Sequence, residues 1–306
     1  MILLIPENRV CPDKKTQYPV TGFNPIHWIK TDDPDFIVTG IDGFIVTNQN
    51  KVNGIFKKFE YIEEEPNEAI SIEAIQSVFP ERENWLINNL SDVLNCMSYT
   101  FFWPREFPVG FDINSKVIHI YKFDSKVNNF QINRHKLISL IDLENGIKRL
   151  RGFSFLKVKG LNSSSSNVEC FLANKTKNPW PGDIDAVIYD KKKNKYVAFI
   201  EFKTHNIDRP VIEEHIGKYG EQDWRRFDVL FDLIDDFAAK LGYKPKLFFI
   251  VWGTDPNKAN HANLKIVSIE RNRIVKSFLF PRPEHNKFFR ELFEVILKEA
   301  IENTVD

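Results

Sequence analysis

The sequence is poor in cysteine and contains no long apolar run. Its three cysteines, Cys11, Cys96 and Cys170, lie far apart and form neither a CxxC pair nor a metal-ligand spacing. No stretch approaches the roughly 18 apolar residues that a membrane span requires. The apolar start at Met1–Ile5 is too short for the core of a signal peptide. These absences predict a soluble protein of the reducing cytoplasm with no membrane partner.

The chain also lacks an excess of charge of either sign. It carries 42 acidic and 42 basic residues, so its net charge is zero. Sequence-independent coating of nucleic acid by overall positive charge is therefore excluded, and any contact with DNA or RNA would need a local patch. At 306 residues and 42% hydrophobic composition, the chain can bury a full core in one large domain or two ordinary ones.

Several catalytic signatures are missing. There is no GxxxxGK[ST] loop, no GxSxG elbow, no HExxH helix and no zinc spacing among the seven scattered histidines. The sequence therefore gives no indication of an ATPase, an α/β-hydrolase or a zinc enzyme.

The second half of the chain has clear periodicity. A helical stripe predicts a helix over Arg134–Leu150, ended by Gly152, and a longer helix over Asp223–Leu241. A last helix is predicted over Glu284–Glu302. Predicted strands are Phe153–Lys159, Val168–Leu172, Asp183–Tyr189, Tyr196–Phe202, Leu247–Trp252, Leu264–Ile269 and Arg273–Leu279. This order predicts an α/β or mixed α+β fold, in which helices flank a central mixed sheet.

The first part, residues 1–130, shows no internal repeat and is less regular. Ile41–Val46 and Val117–Phe123 are predicted strands, and Trp85–Met97 is a predicted helix. We expect an α+β region for substrate recognition or assembly over residues 1–130, followed by a catalytic domain over residues 131–306.

Charged residues interrupt two apolar strands that a polar turn joins. Asp183 and Asp185 lie in the first strand, and Glu201 and Lys203 end the second. Side chains alternate along a strand, so each pair shares a face. Charges among buried residues are costly unless they are paired or bind a metal.

These residue types suit phosphodiester hydrolysis. Carboxylate oxygens are the ligands that Mg²⁺ prefers, and the ion supplies positive charge at the phosphoryl group. A lysine beside it can orient the attacking water and offset developing negative charge.

The motif resembles the PD-(D/E)XK nuclease superfamily, which includes restriction endonucleases, over roughly residues 134–253. Gly182–Asp185 is similar to its G-x-I-D half, and Glu201-Phe202-Lys203 is similar to its E-x-K half. Asp183 is the alternative aspartate, although Asp185 is preferred. The resemblance implies a restriction endonuclease-like core, in which Asp185, Glu201 and Glu144 bind Mg²⁺, or Mn²⁺ in its place, and Lys203 assists the water. Glu144 lies on the preceding helix, and the alternative interpretation is that it is an exposed glutamate at the end of that helix.

Secondary candidates follow the E-x-K motif. Gln222 or Tyr219 could face the site, and Arg225 or Arg226 could bind phosphate. His205 could touch a phosphate or lie at the rim.

The expected function is cleavage of DNA, with RNA as an alternative substrate. A role in restriction, phage defence, recombination or a mobile element would suit it, as would a homodimer or accessory proteins. The competing hypothesis is a non-catalytic binding scaffold that retains a nuclease-like fold.

Overall fold

The computed structural model describes residues 1–16, 20, 23–62, 68–107, 110–123, 131–205, 209–213, 221–270, 273–283 and 287–301. Within this part the fold is a mixture of α-helices and strands in mixed sheets. In chain order, the strands are β1 (Ile2–Leu4), β2 (Arg9–Val10), β3 (Phe36–Val46), β4 (Val52–Ile62), β5 (Met97–Pro104), β6 (Ile118–Phe123), β7 (Ile132–Ile138), β8 (Ser163–Ser164), β9 (Gly182–Asp190), β10 (Lys195–Thr204), β11 (Lys246–Trp252), β12 (Asn263–Glu270) and β13 (Arg273–Pro281). The helices are α1 (Ile72–Val78), α2 (Glu81–Leu94), α3 (Leu140–Arg151), α4 (Asn167–Lys175), α5 (Glu221–Leu241) and α6 (Arg290–Ile301).

The chain forms two compact units. Unit 1 comprises Met1–Gly22 and Asp42–Asp183, and unit 2 comprises Phe23–Ile41 and Ile184–Asp306. This division differs from the boundary near residue 130 expected from the sequence. The difference arises because an early segment folds with the C-terminal half, and because α3 and α4 belong with the N-terminal half.

Unit 1 is built on the hairpin of β3 and β4. β5 lies parallel to β4, whereas β6 and β7 follow in antiparallel pairing, and β1 pairs with β4. Its core is strongly aromatic, as the phenylalanine content leads one to expect. Trp180 packs against Phe56, Phe101 and Trp103, and its indole N–H donates to the carbonyl of Asp42 at 2.6 Å. Trp180 is therefore a packing residue.

Unit 2 is built on the hairpin of β9 and β10. β11 lies parallel to β10, and β12 and β13 follow in antiparallel pairing. Even-numbered residues of β9 to β11 pack into one core with α6, whereas odd-numbered ones such as Phe199 and Phe249 contact α5. The sheet is thus covered on both faces, which explains the continuously apolar sequence of β11.

The two units repeat one connectivity. Each has an antiparallel hairpin, a helical connection, a strand parallel to the second hairpin strand, two further antiparallel strands and a final helix. The strand registers place Asp42 where unit 2 has Asp185, and Lys57 where unit 2 has Glu201. The sequence shows no repeat that would reveal the shared connectivity. The same order of strands and helices can form even when nearly every side chain differs.

The structure corrects several predictions about local elements. The helix predicted from Arg134 begins only at Leu140, because Ser139 and Asp142 form a capping box and β7 precedes them. Val168–Leu172 lies inside helix α4, which Ser166 caps, and is not a strand. The predicted strand Phe153–Lys159 is absent, since that segment has neither helix nor strand assignment. The helix predicted over Trp85–Met97 ends at Leu94, and Met97 begins β5.

A disulfide joins Cys11 and Cys170, whose Cα atoms lie 5.6 Å apart. The expectation of a reducing compartment does not account for this bond, because disulfides persist mainly in oxidising environments. Spacing could not reveal the pair, since 159 positions separate the two residues in sequence. Among the described residues, no helix is long and apolar enough to cross a membrane.

Candidate active site

Asp185 lies where the β9–β10 hairpin stops pairing through its backbone. The paired residues extend to Ile200 opposite Ala186, which places Asp185 opposite Glu201 one step further along. There the N–H of Phe202 donates to the Asp185 carboxylate at 2.6 Å. The side chain of Asp185 thus takes the place of a main-chain acceptor and lies against the E-x-K segment. Opposed residues of an antiparallel pair share a face, so Asp185 and Glu201 project to the same side.

Glu201 is deeply buried, with 1% of its surface exposed. On the other side of β10, Glu201 pairs in register with Phe249, and Lys203 pairs with Val251. Phe249 in turn contacts Phe227 of α5, with ring centroids 4.9 Å apart. The face that carries the motif is therefore apolar and covered by a helix, and electrostatic interactions there are stronger than in water.

The glycine at position 40 permits close approach to Asp185. A Cβ atom at Gly40 would lie 2.8 Å from the Asp185 carbonyl oxygen and 3.3 Å from that of Ile184. Real Cβ contacts are essentially never this short, so any other residue would displace the backbone that positions Asp185. Gly40 therefore maintains the geometry of the site but takes no part in the reaction.

The other two candidate acids, Glu144 and Asp183, lie in unit 1 and have their own interactions there. Glu144, on α3, accepts a hydrogen bond from the side-chain amide of Asn178 at 2.9 Å. Asp183 contributes charge that raises the pKa of Lys58. Burial by itself would lower the pKa of Lys58, but the negative charges of Glu169, Asp42 and Asp183 outweigh it.

The secondary candidates fall only partly within the described residues. His205 follows the end of β10 and is buried; its backbone N–H donates to the Trp252 carbonyl, and its Nε2 lies 3.0 Å from the Arg209 carbonyl oxygen. This burial does not support a phosphate contact. Gln222, Arg225 and Arg226 belong to α5, but their side chains lie outside the described part, as does Tyr219 entirely.

Asp185 and Glu201 fit a hard divalent cation by their donor chemistry. Mg²⁺ is typically held by one or two carboxylates while it keeps several waters. Within the described ranges, no group of three or more His, Cys, Asp and Glu side chains is placed to hold a metal ion. The fit therefore rests on two carboxylates, with Lys203 on the same strand.

Unit 1 contains a charged cluster that the sequence reasoning missed. Lys58 and Glu169 form a buried ion pair, and Glu169 also accepts from the hydroxyls of Ser164 and Ser165. Lys57 Nζ lies 2.9 Å from Asp42 Oδ2. The same Asp42 carboxylate accepts from the backbone N–H of Lys58 at 2.9 Å.

That last bond matches the one made by Asp185 in unit 2, at the equivalent position of the hairpin. A sequence signal existed, since Gly40-Ile41-Asp42 precedes a hairpin much as Gly182–Asp185 does.

No family model and no curated protein sequence matches this chain. A search of solved structures returned the sex pheromone staph-cAM373 precursor, with 12% identity, 92% of this chain and 86% of that chain covered, and a TM-score of 0.20. It also returned a sex pheromone precursor from Lactobacillus salivarius subsp. salivarius, with 10% identity, 81% and 68% coverage and a TM-score of 0.15. TM-scores this low carry no inference about fold or function.

Proposed function

We propose that this chain is a Mg²⁺-dependent nuclease that hydrolyses phosphodiester bonds in DNA. The observation that carries the proposal is the Asp185 carboxylate bonded to the Phe202 N–H, at the centre of Glu201-Phe202-Lys203. This arrangement supports the resemblance to the PD-(D/E)XK nucleases in a hairpin–helix–parallel strand context formed by β9, β10, α5 and β11.

Asp185 and Glu201 would hold the ion. When bound, Mg²⁺ lowers the pKa of water and offsets charge on the phosphoryl oxygens. Lys203 orients the attacking water through its ammonium group and stabilises the negative charge that develops on phosphate. Glu201 is buried, so its electrostatic interactions are less screened by water than those of an exposed carboxylate.

The remaining assignments belong to the same proposal. Mn²⁺ can substitute for Mg²⁺, Asp183 and Glu144 serve as auxiliary acids, and Gln222 and either Arg225 or Arg226 contact the nucleic acid. The enzyme acts in restriction, phage defence, recombination or a mobile element. It works there as a homodimer or with accessory proteins, in the cytoplasm.

A second candidate function is a non-catalytic scaffold, and one observation favours it. In unit 1, Asp42 makes the equivalent bond to a backbone N–H, although Lys57 and Phe59 stand where unit 2 has Glu201 and Lys203. The bond of Asp185 can therefore serve the hairpin alone, without catalysis.

Because Asp42 occupies the position equivalent to Asp185, it supplies a matched control for testing the role of Asp185 by substitution. Asp185→Asn and Asp42→Asn each retain an oxygen that can accept the backbone N–H, and each removes one charge. Cleavage of labelled single- and double-stranded DNA in Mg²⁺ should be abolished by Asp185→Asn, Glu201→Gln and Lys203→Ala, and retained by Asp42→Asn. A parallel RNA substrate separates deoxyribonuclease from ribonuclease activity.

Calorimetry with Mn²⁺ separates the enzyme from the scaffold. The nuclease proposal requires binding that disappears in Glu201→Gln. Wild-type cleavage by the Glu201→Gln variant, or cleavage that persists in EDTA, would contradict the proposal. Absence of both Mn²⁺ binding and cleavage in the wild-type protein would favour the scaffold.

A further inference from the structure

The segment that follows α3 in unit 1 exposes large apolar side chains to solvent. In residues 152–160, here called the apolar loop, the exposed fractions are 40% for Phe153, 44% for Phe155, 91% for Leu156 and 44% for Val158. Single exposed apolar residues are ordinary on protein surfaces. Four of them within six consecutive residues mark an interaction surface instead.

The sequence that flanks the apolar loop is rich in basic residues, although the whole chain is neutral. Between residues 145 and 182 there is one acidic residue, Glu169. Its charge is neutralised by the buried ion pair with Lys58. Six basic side chains in this stretch are exposed: Lys148, Arg149, Lys157, Lys159, Lys175 and Lys177. The loop therefore lies in a local field that attracts polyanions.

The apolar loop is held in a defined shape. Arg151 lies beneath it, with its guanidinium carbon 4.9 Å from the ring centroid of Phe155 and 5.9 Å from that of Phe153. The Phe155 N–H donates to the Lys177 carbonyl at 3.0 Å, and the Gly160 N–H donates to the Ala173 carbonyl at 3.0 Å.

Among the described residues, no acidic side chain forms an ion pair with Arg151. Arg151 is buried, and Nη2 donates to the Pro179 carbonyl at 2.9 Å. In the part of the chain that is described, its Nη1 has no hydrogen-bond partner. Burial alone lowers the pKa of Arg151 to about 10, so the group remains a cation at neutral pH. A buried cation of this kind adds to the attraction for anions.

We propose that the apolar loop and the basic residues around it bind unpaired, single-stranded nucleic acid. Bases stack on Phe153 and Phe155, and Leu156 inserts as a wedge between neighbouring bases. The exposed lysines contact the phosphates. The assignment rests on the proposed nuclease function, for which it names unpaired strands as the substrate class.

An anionic membrane would also attract apolar and basic side chains, but the observations favour nucleic acid. The Arg151 guanidinium lies against the Phe155 ring, and backbone hydrogen bonds hold the loop at Phe155 and Gly160. A rigid platform lowers the ordering cost of stacking a flat base. Insertion into a fluid bilayer gains nothing comparable from a fixed ring orientation.

The test measures binding without cleavage. Fluorescence anisotropy of a dye-labelled oligothymidine is recorded with the full-length protein in EDTA over a salt series. Phe155→Ala should weaken binding about tenfold, within the range expected for losing one stacked base. Lys157→Gln combined with Lys177→Gln should reduce the slope of log affinity against log salt by about 1.4, at about 0.7 for each phosphate contact.

The matched control removes two exposed lysines from the strands of the same unit. Lys122→Gln combined with Lys136→Gln changes the net charge equally, yet should leave both affinity and slope unchanged. Thermal unfolding should be alike in the wild type and the lysine variants, because every substituted lysine is exposed.

Wild-type affinity in both loop variants would overturn the proposal. Binding to vesicles of anionic phospholipid that the loop variants abolish, without an effect on oligothymidine binding, would overturn it in favour of a membrane surface. Both results are independent of cleavage: loop-dependent binding without any cleavage in Mg²⁺ would reject the nuclease and retain the binding surface.

Discussion

The buried pair of Lys58 and Glu169 gives a quantitative test of the charged cluster in unit 1. Removal of one member of a buried ion pair leaves an uncompensated charge, which typically costs about 3–5 kcal/mol. Glu169→Gln keeps an oxygen that can accept from Ser164 and Ser165, so the lost charge dominates its effect. We expect the free energy of unfolding to fall by about 3–5 kcal/mol at pH 7.

Replacing both members of the pair separates the charge from the packing. The double variant Glu169→Gln with Lys58→Met removes the stranded ammonium group and should recover most of the loss. The control is the surface pair of Lys192 and Asp35, for which Asp35→Asn should lower the free energy of unfolding much less than Glu169→Gln does. The assay is urea unfolding followed by circular dichroism and tryptophan fluorescence.

The pH dependence of the same pair has a definite sign. Burial by itself would raise the pKa of Glu169, but Lys58 and the serine hydroxyls outweigh it and the pKa is lowered. A lowered folded-state pKa stabilises the protein above the unfolded-state value of about 4.3, and this contribution is lost as the pH falls through the folded-state pKa. The stability difference between wild type and Glu169→Gln should therefore shrink in acid. A single variant within 1 kcal/mol of wild type at pH 7, or a double variant less stable than the single one, would refute this reasoning.

Three further predictions concern the site and the disulfide. Gly40→Ala should destabilise the protein by about 1–3 kcal/mol and lower cleavage, because its Cβ would press on the Asp185 carbonyl; unchanged urea unfolding would show that the backbone yields there. Asp185→Ala should cost about 1–3 kcal/mol by leaving the Phe202 N–H without its acceptor, whereas Asp185→Asn should cost clearly less in the same measurement. Reduction with dithiothreitol should lower the free energy of unfolding by about 2–4 kcal/mol in the wild type. It should have no effect on the Cys11→Ser and Cys170→Ser double variant, and an equal response of both proteins would exclude the disulfide.

The sequence by itself determined the local elements that carry the proposed chemistry. Two apolar runs joined by a polar turn located β9 and β10, and the helical stripe located α5. The continuously apolar run located β11. These patterns can be recognised in the sequence because the burial of an element determines where apolar residues occur along that element alone. For the same reason, Glu201 and Lys203 could be assigned to a common face.

Local sequence patterns gave the wrong element where a buried strand and a helix have similar amino-acid compositions. Val168–Leu172 is apolar enough for a buried strand, yet Ser166 caps it as a helix. Ser139 and Asp142 mark the true start of α3, but the apolar positions before them allowed the helix to be extended backwards over β7.

Only the tertiary structure decided which distant residues meet. The Cys11–Cys170 bond, the Lys58–Glu169 pair and the repeated connectivity join positions far apart in sequence, and no periodic signal records such contacts. Cysteine spacing could not reveal the disulfide, because a disulfide needs proximity in space and not in sequence. The sequence defined which side chains could form a site, and long-range packing decided what each of them touches.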